Sequence, residues 1–154
     1  MPAARAAAKR YTRLPTLAKV TAHDSSPTGP DDDVTELATR IFDLARVGDA
    51  PTLAAYVDAG VPVDLRNQAG DSLLMLAAYH GHQAAARALI ERGAAPDLAN
   101  DRGQTPLAGA VFKGFDDVVG LLVDSGADPD AGTPSARDTA AMFGRDDYVT
   151  RFGG

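Results

Sequence analysis

The chain has 154 residues, enough for one domain with its own core, and 15 basic against 21 acidic residues give it a net charge of −6. It contains no cysteine, which excludes disulfides and thiolate metal sites and agrees with a reducing, cytoplasmic location. No apolar run approaches the roughly 18 residues that a membrane span needs, so we expect no membrane partner.

The charge is divided unevenly along the chain. Residues 1–30 carry five basic residues against one acidic residue, a net of +4, and the rest carries ten against twenty, a net of −10. An acidic body argues against nucleic acid as the main partner, because phosphate binding needs a concentrated basic face. Arginine outnumbers lysine 12 to 3 and alanine is abundant, which is typical of a GC-rich, bacterial genome.

The N-terminal segment has the composition of a tail. Residues 1–20 are rich in alanine and basic residues, and residues 21–30 are rich in serine, threonine, proline and glycine, as linkers are. We therefore predict a basic, flexible tail over residues 1–30 and a folded domain over residues 31–154. A transit peptide and an extension from an upstream start codon remain alternatives for the tail.

The folded domain is predicted to open with a helix. Asp33 and Glu36 have the spacing of a capping box, in which the first side chain accepts from the backbone and the second reaches back. Leu37, Ile41 and Leu44 follow at helical spacing. We expect order to begin near Asp33.

A 33-residue sequence pattern occurs twice between Asn67 and Gly132. Glycine, alanine and aspartate recur at that spacing in five pairs: Gly70 and Gly103, Ala77 and Ala110, Gly81 and Gly114, Gly93 and Gly126, and Asp97 and Asp130. Gly48, Gly60 and Asp64 lie one period before the same pattern, which indicates an earlier copy with a degraded opening. A fixed period of this length indicates stacked units that cannot bury their apolar faces alone.

Each copy predicts a first helix and a second helix, and a polar finger connects one copy to the next. Thr105 can cap a first helix that begins at Pro106, and Ser72 is the weaker equivalent. Glycines should end the first helices at Gly81 and Gly114 and the second helices at Gly93 and Gly126. The segment Asp97–Gly103 is polar and resembles a hairpin.

The final copy is predicted to be a C-terminal cap. From Gly126 to Thr133 there are only 7 residues, against 12 from Gly93 to Thr105, so the last finger has lost five. Thr133 lies 11 residues before Gly144, whereas Thr105 lies 9 residues before Gly114. If the first helix of the final copy starts at Thr133, it is therefore two residues longer than its equivalent.

These residues resemble the ankyrin repeat, in Gly103-Gln104-Thr105-Pro106-Leu107 and in Gly126-Ala127-Asp128-Pro129-Asp130. The resemblance covers residues 33–154 and implies an all-α solenoid of about four helix-turn-helix repeats with short hairpin fingers and terminal caps. The repeats would span residues 33–66, 67–99, 100–132 and 133–154. The family's usual histidine after Thr-Pro-Leu is replaced by Met75 and Ala108, so we expect weaker hydrogen bonding between neighbouring fingers.

The resemblance also implies a non-enzymatic module that binds a protein partner in a concave groove formed by first helices and fingers. Two helix positions per repeat face this groove, just before the closing glycine. The first row is Arg46, Tyr79, Phe112 and Met142, and the second row is Val47, His80, Lys113 and Phe143. Finger positions add Arg66, Gln68, Asp71, Asp101, Arg102 and Gln104. Tyr, Phe and Met in the first row are residue types that interfaces favour. Alternatively, Phe112 and Met142 pack against their neighbours, and the fingers are solvated turns.

Other chemistry has little support in the sequence, and we expect no cofactor. His80 and His82 should point in different directions at a helix end, and no third metal ligand stands at a recognised spacing. Asp116-Asp117 and Asp146-Asp147 could be acid–base pairs, but their position at the start of second helices complements the helix dipole. Two alternatives remain open, an enzyme that uses His80 or His82 with a carboxylate, and a subunit whose groove is filled by self-association. We expect the free chain to be monomeric.

Overall fold

The structure, a computed structural model, describes residues 30–153, so the predicted tail lies outside the described residues except for Pro30. Within 30–153 the chain is all-helical, with eight α-helices and isolated bridges in place of strands. The helices are α1 Pro30–Val47, α2 Ala50–Asp58, α3 Leu73–Tyr79, α4 Gln83–Glu91, α5 Pro106–Lys113, α6 Asp116–Asp124, α7 Ala136–Met142 and α8 Asp146–Arg151. None of these helices is long and apolar enough to cross a membrane.

The helices form two layers. The first helices α1, α3, α5 and α7 pack side by side in chain order, and the second helices α2, α4 and α6 pack on one another in the same way. Each first helix also packs on the second helix that follows it. This one-dimensional stack is the solenoid that the 33-residue period predicted, in which each unit contacts its neighbours.

The core lies between the two layers. Leu74 and Leu107 from first helices and Leu89 and Leu122 from second helices are fully buried. Ala77, like its equivalent Ala110, is also fully buried, and its small side chain lets neighbouring first helices approach closely. The apolar spacing in the sequence therefore identified the buried faces correctly.

The glycines end the helices as predicted. Gly114 is the C-cap of α5 in the left-handed conformation, with φ of 79°. Gly93 and Gly126 follow α4 and α6 with φ of 93°. A residue without a Cβ adopts this conformation without steric penalty, so the chain can reverse at the same place in each unit.

The first helix begins earlier than predicted. Helix α1 starts at Pro30, so Asp33 lies inside the helix rather than capping it. Proline suits the first helical position, because its N–H would have no partner there and its φ is already helical. The capping-box interpretation of Asp33 and Glu36 was wrong.

The predicted start of the first helix in the last unit, α7, was also wrong. Ser72 and Thr105 cap α3 and α5, accepting from the N–H groups of Met75 at 3.0 Å and Ala108 at 3.1 Å. In the last unit the cap is Ser135, which accepts from the N–H of Asp138 at 3.0 Å. From Ser135 to Gly144 there are 9 residues, as from Thr105 to Gly114, so the helix gains nothing and the finger has lost three residues.

Neighbouring fingers are joined by backbone hydrogen bonds. The N–H of Asp101 donates to the carbonyl of Ala69 at 3.0 Å, and the N–H of Thr133 donates to the carbonyl of Gly103 at 2.9 Å. The side-chain amide of Asn100 donates to the carboxylate of Asp71 at 2.8 Å. These bonds link the fingers without a histidine side chain at position 75 or 108.

Candidate functional site

The two rows of residues that precede the closing glycines carry most of the exposed apolar side chains. In residues 33–153 five large hydrophobic residues are exposed, and four of them belong to these rows. Phe112 is 50% exposed, Met142 66% and Phe143 53%. The alternative that these residues pack against their neighbours holds in part, because the ring of Phe112 contacts that of Phe143, yet both Phe112 and Met142 remain exposed. Val47 is the fourth exposed member, and the fifth hydrophobic residue, Val34, lies elsewhere on α1.

Contacts between adjacent units join the rows into one surface. The rings of Phe112 and Phe143 meet edge to face at 5.5 Å. The ammonium of Lys113 lies 5.1 Å from the centre of the Tyr79 ring, a cation–π contact that holds the half-buried tyrosine in place. The row residues of the second, third and fourth units are therefore neighbours.

The rows also carry positive charge. Arg46 and Lys113 belong to them, and no carboxylate does, although Arg46 pairs with Asp43 at 2.8 Å. Desolvation lowers the pKa of His80, and the charges of His82, Arg46 and Lys113 lower it further. This surface is thus apolar and cationic in a domain whose net charge is −10.

The predicted finger residues divide into two groups. Gln68, Asp101 and Arg102 are exposed. Arg66 instead stabilises the stack, because its guanidinium donates to the carbonyl of Gly70 at 3.1 Å and to that of Ala99 in the next finger at 3.1 Å. Asp71 is likewise engaged by Asn100, as described above.

An open pocket of about 300 Å³ lies beside the rows. Of the predicted residues it brings together Tyr79, Arg102 and Gln104. Its other lining residues were not predicted from the sequence; they are Ala108, Thr133, Pro134 and Thr139. The 9-residue spacing from Ser135 to Gly144 would have placed Thr133 and Pro134 in the finger, but nothing local indicates that they face Tyr79.

His82 has a structural role. Its Nε2 donates to the carbonyl of Arg46 at 2.7 Å, at the end of the preceding first helix. A Cβ at Gly48 would lie 2.5 Å from the imidazole of His82, so the glycine makes room for the ring. In the next unit, Phe115 packs in the same way against Gly81 of the unit before it. His82 and Phe115, which each follow a closing glycine, thus join adjacent units.

The rings of His80 and His82 have centres 6.5 Å apart and planes inclined at 23°. Neither ring is hydrogen-bonded to a carboxylate within residues 33–153. In the same part of the chain no group of three or more His, Asp or Glu side chains could hold a metal ion.

We expect added zinc and added chelator to leave the melting temperature unchanged. A stoichiometric site would raise stability by mass action, but Nε2 of His82 is committed to Arg46 and the histidines have no third ligand. Thermal unfolding with and without zinc, and metal analysis of the purified protein, provide the measurement. One tightly held ion per chain would contradict this prediction.

The acidic pairs have structural partners. Asp116-Asp117 and Asp146-Asp147 occupy the first turns of α6 and α8, as predicted for helix-dipole interactions. Asp116 accepts hydrogen bonds from the hydroxyl of Tyr148 and from Arg145. Burial of Tyr148 and its bond to Asp116 raise the pKa of this phenol to about 12. This network joins the last two units.

Comparison with known proteins gives two matches. A family model described as ankyrin repeats in three copies matches residues 41–133. A protein of Pseudomonas aeruginosa named as an ankyrin repeat protein is 47% identical over 57 residues, which are 37% of this chain and 33% of that protein. The chain thus matches about a third of the length of this relative.

Proposed function

The chain belongs to the ankyrin repeat family, whose members are generally protein–protein interaction modules, and on that premise we propose that it binds a protein partner through its two rows. The partner would lie across α1, α3, α5 and α7, with the fingers at its edge. The cysteine-free sequence supports a cytoplasmic setting for this interaction.

One observation supports this proposal above the others. Four of the five exposed large hydrophobic residues in residues 33–153 lie in the rows, and three of them, Phe112, Met142 and Phe143, adjoin one another. Isolated exposed hydrophobic residues are normal on protein surfaces, but a contiguous group marks an interaction surface. Aromatic residues and methionine are also enriched at interfaces.

Phe112→Ala and Tyr79→Ala are expected to weaken partner binding by at least about 2 kcal/mol each, the loss typical of interface hot spots. The affinity of a partner recovered by pull-down should be measured by calorimetry, with circular dichroism to verify folding. Charge changes at the exposed finger residue Asp101 should act mainly on the association rate and its salt dependence.

Val34→Ala is the matched control, because this residue is as exposed as Phe112 but lies outside the rows. It should bind like the wild type. If Phe112→Ala and Tyr79→Ala fold and bind with wild-type affinity, the partner binds to another surface of the domain. Light scattering on the free chain should give the mass of a monomer; a dimer that Phe112→Ala dissociates would instead support self-association.

A further inference from the structure

The pocket beside the rows is formed by three consecutive units. Tyr79 comes from α3, Arg102 from the finger that precedes α5, and Thr139 from α7. Gly109 of α5 is not among the lining residues. A Cβ built there would lie 2.9 Å from Cε of Met75 and 3.2 Å from Cδ1 of Tyr79, so these side chains occupy the space that the glycine leaves.

The short last finger forms another wall. Thr133 and Pro134 line the pocket and precede the cap Ser135 of α7 directly. The bond from the N–H of Thr133 to the carbonyl of Gly103 fixes this wall against the preceding finger. The volume of about 300 Å³ is at the lower end for small-ligand sites, so it suits one or two side chains of a larger partner.

The pocket has an uncompensated positive charge. Arg102 is the one charged residue among its lining residues, and its guanidinium makes no hydrogen bond or ion pair within residues 33–153. The nearest carboxylates along the chain are engaged, since Asp101 lies 3.7 Å from Arg66 and Asp97 accepts from the N–H of Asp128 at 2.8 Å. The side-chain amide of Gln104 also has no partner in this part of the chain.

We propose that this pocket binds an aspartate or glutamate side chain within a linear, otherwise apolar segment of the protein partner, an inference that rests on the proposed function. Arg102 would donate charge-assisted hydrogen bonds to the carboxylate, and Gln104 supplies a further amide donor. The apolar neighbours of the acidic residue contact Phe112, Met142 and Phe143. The positive charges of Arg102 in the pocket and Lys113 in the rows favour such a segment and disfavour basic ones.

Peptide display libraries test this directly. A central position is fixed as Glu, Gln, Leu or Lys, the remaining positions are randomised, and each library is selected on the full chain. The wild type should enrich the Glu library over the Gln library. Arg102→Ala should bind the selected peptide about tenfold to a hundredfold more weakly, the loss of a hydrogen bond to a charged group. Arg102→Glu should enrich the Lys library instead.

Arg87→Glu is the matched control, because it makes the same charge change at an exposed position of the second-helix layer, and it should retain the preference for Glu. Equal enrichment of Glu and Gln, no enrichment at all, or a preference for Glu that survives in Arg102→Ala would each overturn the inference. If free glutamate competed as strongly as the selected peptide, the ligand of the pocket would be a small carboxylate rather than a protein segment.

The same selections separate this inference from the proposed function. Peptides that lose affinity in Phe112→Ala but show no preference for an acid would leave the proposed function standing and overturn the pocket assignment. Selected peptides that contain Glu and depend on Arg102, but bind Phe112→Ala normally, would support the pocket assignment and overturn the binding role of the rows. A folded state verified by circular dichroism is required for every variant.

Discussion

Leu122→Ala is expected to lower the free energy of unfolding by about 2–5 kcal/mol, the range for large-to-small changes in a core. Leu122 is fully buried in α6, which packs on both α5 and α4. Truncation removes buried apolar surface and leaves a cavity that the neighbouring helices fill only in part. Urea unfolding followed by circular dichroism gives the measurement.

Asp124→Ala is the matched control for this change. Asp124 ends the same helix, two residues later, but its side chain is exposed. Its replacement should change stability by no more than about 0.5 kcal/mol. Similar losses at the two positions would show that the buried face of α6 is assigned wrongly.

Gly132→Ala is expected to lower stability by about 2–5 kcal/mol through two effects. Gly132 has φ of 92°, which costs a residue with a Cβ roughly 1–2 kcal/mol. A Cβ there would also lie 2.8 Å from the carbonyl oxygen of Gly103 and 3.0 Å from Cγ2 of Thr105. Relieving this overlap must displace the last finger, and such overpacking costs about 1–3 kcal/mol more.

Gly126→Ala isolates the second effect. Gly126 has nearly the same φ, 93°, but nothing lies within 4 Å of the Cβ that alanine would add. It should therefore lose only the conformational part, roughly 1–2 kcal/mol. The difference between the two variants in urea unfolding measures the finger contact. Equal losses would mean that the last finger moves away without cost and does not hold the pocket wall.

The positions of the rows came from the resemblance to ankyrin repeats, and local rules explain why they fall at the ends of the first helices. A cap, a helix of fixed length and a left-handed glycine act over a few residues, so Thr105 and Gly114 determine which side chains lie at the end of α5. Repetition at 33 residues then places Tyr79 and Phe112 at equivalent positions. Their exposure nevertheless differs, since Phe112 is 50% exposed and Tyr79 is half-buried near the ammonium of Lys113.

Long-range contacts decided what the sequence could not. Thr133 and Ser135 are both good caps, and local reasoning selected Thr133. In the stack the N–H of Thr133 bonds to Gly103 of the preceding finger, so Thr133 stays in the finger and Ser135 caps α7. Asp71 was likewise predicted to face a partner, yet it accepts from Asn100 of the next unit.

The sequence by itself therefore determined the period, the helix phases and the caps of the two central units, since each follows from residues close in the chain, and the resemblance to ankyrin repeats supplied the rows. The tertiary structure alone decided the links between fingers, the bond of His82 to Arg46 and the pocket near Arg102. Backbone groups that pair between fingers leave no trace in side-chain identity. The pocket is lined by Tyr79 of one unit, Arg102 and Gln104 of the next finger and Thr133 of the last finger, and only stacking brings these residues together.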